Sequence, residues 1–211
     1  VTPAARALLT ALCAAASAAP AAAPRECHYA YTVWNARARR STERKVVAKP
    51  YAELSAAEKG PLGCTPCEED QAAVRLSDGL SFRACRAVAE RVRAALEQSL
   101  ADGQKLVSVV GYRPQVSKGA LDGLGNRTAL SNHSFGVAFD LNEDANGLYS
   151  DCPRWGSGCA RTKGGPYRPG EPLSLTESSP AVVRLKQAGF GWGGLLPGRQ
   201  KDFMHFSPNG Y

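Results

Sequence analysis

Ser131-Asn132-His133-Ser134-Phe135-Gly136-Val137-Ala138-Phe139-Asp140 is the stretch on which the reading of this chain turns. It sets a histidine and an aspartate seven residues apart, across a glycine that lets a loop bend into a strand. From Gly136 to Leu141 the residues read as that strand. Val137, Phe139 and Leu141 face one way, and Ala138 and Asp140 the other. A carboxylate is therefore presented opposite an apolar face. A second stretch, Asp202-Phe203-Met204-His205-Phe206, brings another histidine and another carboxylate. The chain has three histidines, and these two segments hold two of them.

Two imidazoles and one carboxylate are a sufficient protein ligand set for a zinc ion that keeps an open position. His133, Asp140 and His205 are the candidate ligands of one such ion, and Asp202 is the candidate base beside it. Asp202 precedes His205 by three residues, so strict alternation would put the two on opposite faces. They meet at one site only if Asp202 lies in a bend just before the last strand. Gly198 and the polar run Arg199-Gln200-Lys201 supply a lead-in to such a bend. Glu143 and Asp144 are spare carboxylates nearby, and His28, beside Cys27, is given no function.

Outward from this centre, the pattern predicts a helix beginning near Ser81. Its apolar positions are Cys85, Val88, Val92, Leu96 and Leu100, and Gly103 ends it. Lys105 to Val110 reads as a buried strand leading into Gly111-Tyr112-Arg113-Pro114, and residues 115–130 as a Gly-rich polar loop. Residues 142–175 read as a long loop. Thr176 or Ser178 caps a last helix with Val182, Val183, Leu185 and Ala188 on its apolar face, and Phe203 to Phe206 forms the last strand. Residues 24–80 look irregular, with a short strand near Tyr29 to Val33 and a capped turn at Ser55–Glu58. The order of elements predicts an α+β fold, a small antiparallel sheet flanked by helices. The divisions expected are a leader at 1–23, a cysteine-containing extension at 24–80 and a catalytic domain at 81–211.

The chain has 211 residues, 44% of them hydrophobic, which suits one domain of ordinary size. Its formal net charge of +7 favours an anionic partner. Nucleic acid is not expected, because no binding motif and no basic stripe with interleaved aromatics is present. The densest basic cluster, Arg37 to Arg40 with Arg44 and Lys45, reads as a solvated face.

Residues 1–23 read as a secretory signal: Arg6, a short Ala- and Leu-rich run, then small residues in A-x-A form. Leu12 before Cys13 is too large for a typical bacterial lipidation site, and no segment reads as a transmembrane anchor. Beyond this leader lie Cys27, Cys64, Cys67, Cys85, Cys152 and Cys159, an even number that argues for disulfides. Cys152 and Cys159 flank a short loop and are paired here. The pairing of Cys27, Cys64, Cys67 and Cys85 stays open. Cys64-Thr65-Pro66-Cys67 has C-x-x-C spacing, but an acidic run follows it, and a structural role is expected.

The motifs resemble those of the zinc metallopeptidases that cleave bacterial cell-wall stem peptides. These are the D-alanyl-D-alanine carboxypeptidases, the D,D-dipeptidases of vancomycin resistance and the L-alanyl-D-glutamate endopeptidases, whose fold is similar to the Hedgehog signalling domain. Ser131, His133, Gly136, Ala138 and Asp140 fill one motif. Gly191-Trp192-Gly193-Gly194, Asp202 and His205-Phe206 match a second, and Gly111-Tyr112-Arg113-Pro114 a third. The resemblance covers roughly residues 81–211. It implies that His133, Asp140 and His205 bind zinc, that Asp202 is the general base and that Arg113 stabilises an oxyanion. Ser131, Trp192 and Tyr112 would contact substrate. The dipeptidases carry Glu where this chain, like the endopeptidase branch, has Asp202, so a strict D,D-dipeptidase is not expected. The activity implied is hydrolysis of peptidoglycan peptides by an exported, periplasmic or extracellular monomer. A protein of the same fold that binds wall or protein without cutting is the alternative, and the presence of Asp202 favours the enzyme.

Overall fold

The computed structural model describes residues 25–211. The leader expected at 1–23, with Cys13, lies outside the described residues. The described chain is α+β. In order it forms β1 (Glu26–Asn35), β2 (Arg40–Pro50), β3 (Gln71–Arg75), β4 (Ser81–Cys85) and helix α1 (Arg86–Ala101). Then come β5 (Val109–Val110), β6 (Gln115–Leu121), β7 (Arg127–Leu130), β8 (Phe139–Leu141), β9 (Leu148–Ser150) and β10 (Ala160–Lys163). Helix α2 (Pro180–Gln187), β11 (Gly191–Trp192), β12 (Lys201–Asp202) and β13 (His205–Ser207) complete it.

The strands make several small sheets where one was expected. The orders are β2-β1-β6-β7, β10-β9-β12, β11-β13-β8-β5 and β3-β4. All pairings are antiparallel except β1 with β6, which is parallel at Thr32 and Val33. That contact joins the extension directly to the segment that follows Arg113.

The main core lies between the helices and the β11-β13-β8-β5 sheet. Helix α1 buries Val88, Val92, Ala95 and Leu96, and α2 buries Ala181, Val182 and Leu185. Each fully buried valine or leucine contributes about 1.5–3 kcal/mol relative to exposure. Phe139 of β8 has no exposed surface and sits edge-on to Phe82 and Phe190, with ring centroids 5.6 and 5.5 Å away. This packing anchors the strand whose next residue is Asp140.

Several boundaries differ from those expected, each for a local reason. Ser81 to Cys85 is a strand ahead of the helix, because Phe82 and Ala84 alternate inward against β3 and Cys85 is bonded to Cys64. Of Lys105 to Val110 only the last two residues pair, and Val107 is exposed. Residues 115–130 form a hairpin, in which Gly125 takes the left-handed turn conformation at φ +88°. The expected loop 142–175 contains the β9–β10 hairpin, closed by the Cys152–Cys159 disulfide. Val183 is partly exposed, and Ser179 with Pro180 starts α2.

The extension is the largest departure. It was read as irregular, yet it holds the two longest strands, β1 and β2. The capped turn does form, with Ser55 and Glu58 in a reciprocal capping box. Two disulfides, Cys27–Cys67 and Cys64–Cys85, complete the pairing that the sequence left open. The C-x-x-C cysteines are thus bonded elsewhere and not to each other.

Candidate metal centre and active site

The candidate ligands converge through sheet register. Asp140 of β8 stands directly opposite His205 of β13, so their side chains share a face. His133 arrives from a short 3-10 turn, Asn132–Phe135, whose end is set by Gly136 at φ +66°. A side chain at Gly136 would also come within 2.1 Å of Gln71 Oε1 and 2.6 Å of the Cys85 nitrogen. Both the bend and the close approach require glycine there.

His133 Nε2 lies 3.1 Å and His205 Nδ1 3.0 Å from the same Asp140 oxygen, Oδ1. The three ligand atoms all lie within 4.8 Å of one another. The His133 ring is oriented from behind: its Nδ1–H donates to the Gly111 carbonyl at 2.9 Å, which leaves the Nε2 lone pair for a cation. All three residues are buried. His205 Nε2 is buried with no hydrogen-bond partner among the described residues, so His205 lacks the support from behind that His133 has. The donor set fits zinc in chemistry and number.

Asp202 ends strand β12, and the bend expected before His205 falls directly after it. Lys201 and Asp202 pair with β9, residues 203–204 turn, and His205 begins a strand of a different sheet. The lead-in is pinned by Lys201, whose buried ammonium donates to the carbonyls of Leu196 and Gly198. Gly193 packs so tightly that a Cβ would lie 2.3 Å from the Asp202 carbonyl and 2.9 Å from its Cβ.

The two carboxylates are poised differently. Burial opposes the charge on Asp140, but His133 and His205 outweigh it and hold its carboxyl well below the usual carboxylate range. Burial pushes Asp202 up to about 6, against the partial offset of His205. Asp202 Oδ1 is buried without a hydrogen-bond partner.

Arg113 is partly exposed, with Nη2 3.7 Å from Asp140 Oδ2, and its backbone N–H donates to the His133 carbonyl at 3.0 Å. The other expected substrate contacts are turned inward. Tyr112 donates its hydroxyl to the Pro66 carbonyl at 2.6 Å, under the Arg83 guanidinium. Trp192 is buried and donates its indole N–H to the Phe203 carbonyl at 2.8 Å, which steadies the segment after Asp202. Ser131 is buried, with its hydroxyl 3.2 Å from that of Ser134.

Lys163 was not singled out in the sequence. It comes within 3.7 Å of Asp140 Oδ2 and 3.9 Å of Glu143 Oε2. The Gly111 carbonyl was likewise missed as a support for His133. Neither carries a sequence signal of its own, since one is backbone and the other a lysine on a loop of undefined path. Cys27, Cys67 and Glu69 also cluster, but the two cysteines are bonded to each other and offer no thiolate.

A family model described as D-alanyl-D-alanine carboxypeptidase matches residues 125–208. The matched segment holds His133, Asp140, Asp202 and His205 and stops short of Arg113. It supports the peptidase family that the motifs resemble. No curated protein and no solved structure matches the chain.

Proposed function

We propose that the chain is an exported zinc peptidase that hydrolyses peptidoglycan stem peptides as a monomer, on a Hedgehog-like frame. Its type is D,D-carboxypeptidase or L-Ala-D-Glu/D,D-endopeptidase. The observation that carries this is the convergence of His133, Asp140 and His205 beside a second carboxylate of opposite poise, within the matched segment. In this reading residues 81–211 carry the chemistry and residues 24–80 buttress it. The three disulfides support an oxidising compartment.

His133 Nε2, an Asp140 oxygen and His205 Nδ1 would hold the ion. Zinc bound there supplies Lewis acidity and makes water a stronger nucleophile near neutral pH. Asp202, raised toward neutrality, takes a proton from the attacking water and returns it to the leaving amine. Arg113 faces the same point from the exposed side and holds the oxygen on which negative charge develops. Asp140 stays ionised throughout.

The test is digestion of purified muropeptides with and without a chelator, read by mass spectrometry. Cleavage that chelation stops is expected, and the products name the bond. Asp202→Asn should retain zinc and lose roughly 10²–10⁴-fold in turnover. Zinc bound at one per chain with no muropeptide cleaved would sink the enzyme reading in favour of the binding module.

A further inference from the structure

We propose that Lys163 is the residue that holds a carboxylate of the peptide substrate. The inference rests on the peptidase reading and deepens it. In the β10-β9-β12 sheet, Lys163 and Asp202 both stand opposite Leu148. Residues directly opposite in a ladder share a face. Lys163 and the proposed base therefore rise from one side of one sheet, two strands apart, about 10 Å between backbones. The β9–β10 ladder is irregular between Arg161 and Lys163, and such irregularities re-aim a side chain.

The position is rigidly supported. After Lys163 the backbone runs against residues 143–147. Gly165 donates its N–H to the Glu143 carbonyl at 2.8 Å, and a Cβ on Gly165 would lie 1.8 Å from the Asp144 carbonyl. The Cys152–Cys159 disulfide closes the hairpin at its other end.

The ammonium itself is uncommitted. Its contacts to Asp140 and Glu143, at 3.7 and 3.9 Å, are longer than hydrogen bonds, and its side chain is 42% exposed. A divalent cation on Asp140 would take that carboxylate's charge and leave Arg113 and Lys163 without it. Arg113 then has the developing oxyanion to serve. Lys163 is left as a cation beside the cleavage point, offset in part by Glu143 and by the charge of Asp202. Lys118, on β6, adds to the same field: burial holds its ammonium below the ordinary value against the charges of Asp202 and Asp140, and it has no carboxylate partner among the described residues, lying over the Tyr211 ring at 3.6 Å. A site with this balance is complementary to an anion. On a peptide, that anion is a carboxylate, either at the C-terminus or on a glutamate side chain near the scissile bond.

Calorimetric titration of zinc-loaded Asp202→Asn protein tests this by binding alone. The probes are a pentapeptide ending in D-Ala-D-Ala as free acid and as C-terminal amide, and an amide-terminated stem peptide with and without a free glutamate side chain. One acid form should bind roughly 10- to 100-fold tighter than its neutral counterpart, and which pair shows it names the carboxylate. Lys163→Met on the same background should bring that ratio close to one, while Lys163→Arg keeps most of it. Equal binding of acid and neutral forms in both pairs, or a preference that survives Lys163→Met, overturns the assignment. Failure of the peptidase reading shows separately, as absence of cleavage by the unaltered protein.

Discussion

Asp140 at the middle of β8 and Asp202 at the end of β12 are both carboxylates in one site, yet their surroundings drive them apart. Asp140 is fully buried, has one nitrogen of each imidazole within 3.1 Å of one oxygen and faces Arg113 and Lys163 through the other. That setting favours its ionised form. Asp202 is half-buried, and one of its oxygens is cut off from both water and partners. Its proton is held to about pH 6. Two titratable groups pushed apart by environment are how one site divides a holding role from a proton-transfer role. The difference comes from β-sheet register: Asp140 lies opposite His205, while Asp202 ends a strand of another sheet.

The sharpest way to break this division is Asp140→Asn. If Asp140 holds the ion, zinc affinity should fall by more than about 100-fold, since supporting partners of ligands alone are worth about 10–100-fold. Competition against a chromophoric chelator measures it. A loss no greater than that of Asp202→Asn would erase the proposed distinction.

A smaller effect separates the two supports. Gly111 and Gly193 each guard one carboxylate region by close backbone approach. A Cβ on Gly111 would lie 2.2 Å from the Arg83 carbonyl, and the displaced Gly111 carbonyl is the one that orients His133. Gly111→Ala should weaken zinc binding about 10-fold or more. Gly193→Ala would push on the Asp202 backbone instead. It should lower kcat with zinc content unchanged. Zinc titration and steady-state rates on the two variants give the answer, and identical profiles would show that the regions are not independent.

The convergence of His133, Asp140 and His205 was legible in the sequence, from the short spacing of the first two and from motif order for the third. The bend before His205 was legible as a condition, since alternation along a straight strand would part the two side chains. The extension was not. Its strands β1 and β2 are stabilised by mutual pairing, by the β1–β6 contact and by Cys27–Cys67, all contacts between residues distant in sequence. Strand β2 is mostly exposed, so it carries little of the apolar alternation that marks a half-buried strand. The 115–130 hairpin was hidden for a related reason. Its glycines signalled a loop, while they serve a turn and an irregular ladder. Tyr112 and Trp192 sit in their motifs, but hydrogen bonds to the Pro66 and Phe203 carbonyls turn them toward the frame. Motif membership gives a position and does not give the direction of a side chain.

The smallest effect bears on Asp202 alone, in metal-free protein. Its folded carboxyl is raised to about 6 from the ordinary value of 3.8. The folded state therefore holds this proton more tightly than the unfolded chain does. The stability it contributes is full below about pH 4 and is lost as pH rises through about 6. Above that, the ionised group has to sit with one oxygen buried and unpaired. Asp202→Asn removes the titration, so its stability relative to the parent should improve between pH 4 and pH 8. The expected gain is about 1–3 kcal/mol, with the lower end favoured by the group's partial exposure. Denaturant unfolding of chelated protein at several pH values reads this directly. The same substitution at Asp140 should show the opposite trend, because a carboxyl held low contributes stability at neutral pH that is lost on acidification. Parallel profiles for the two variants would mean that the carboxylates share one environment, and the separation of ligand from base would fall with it.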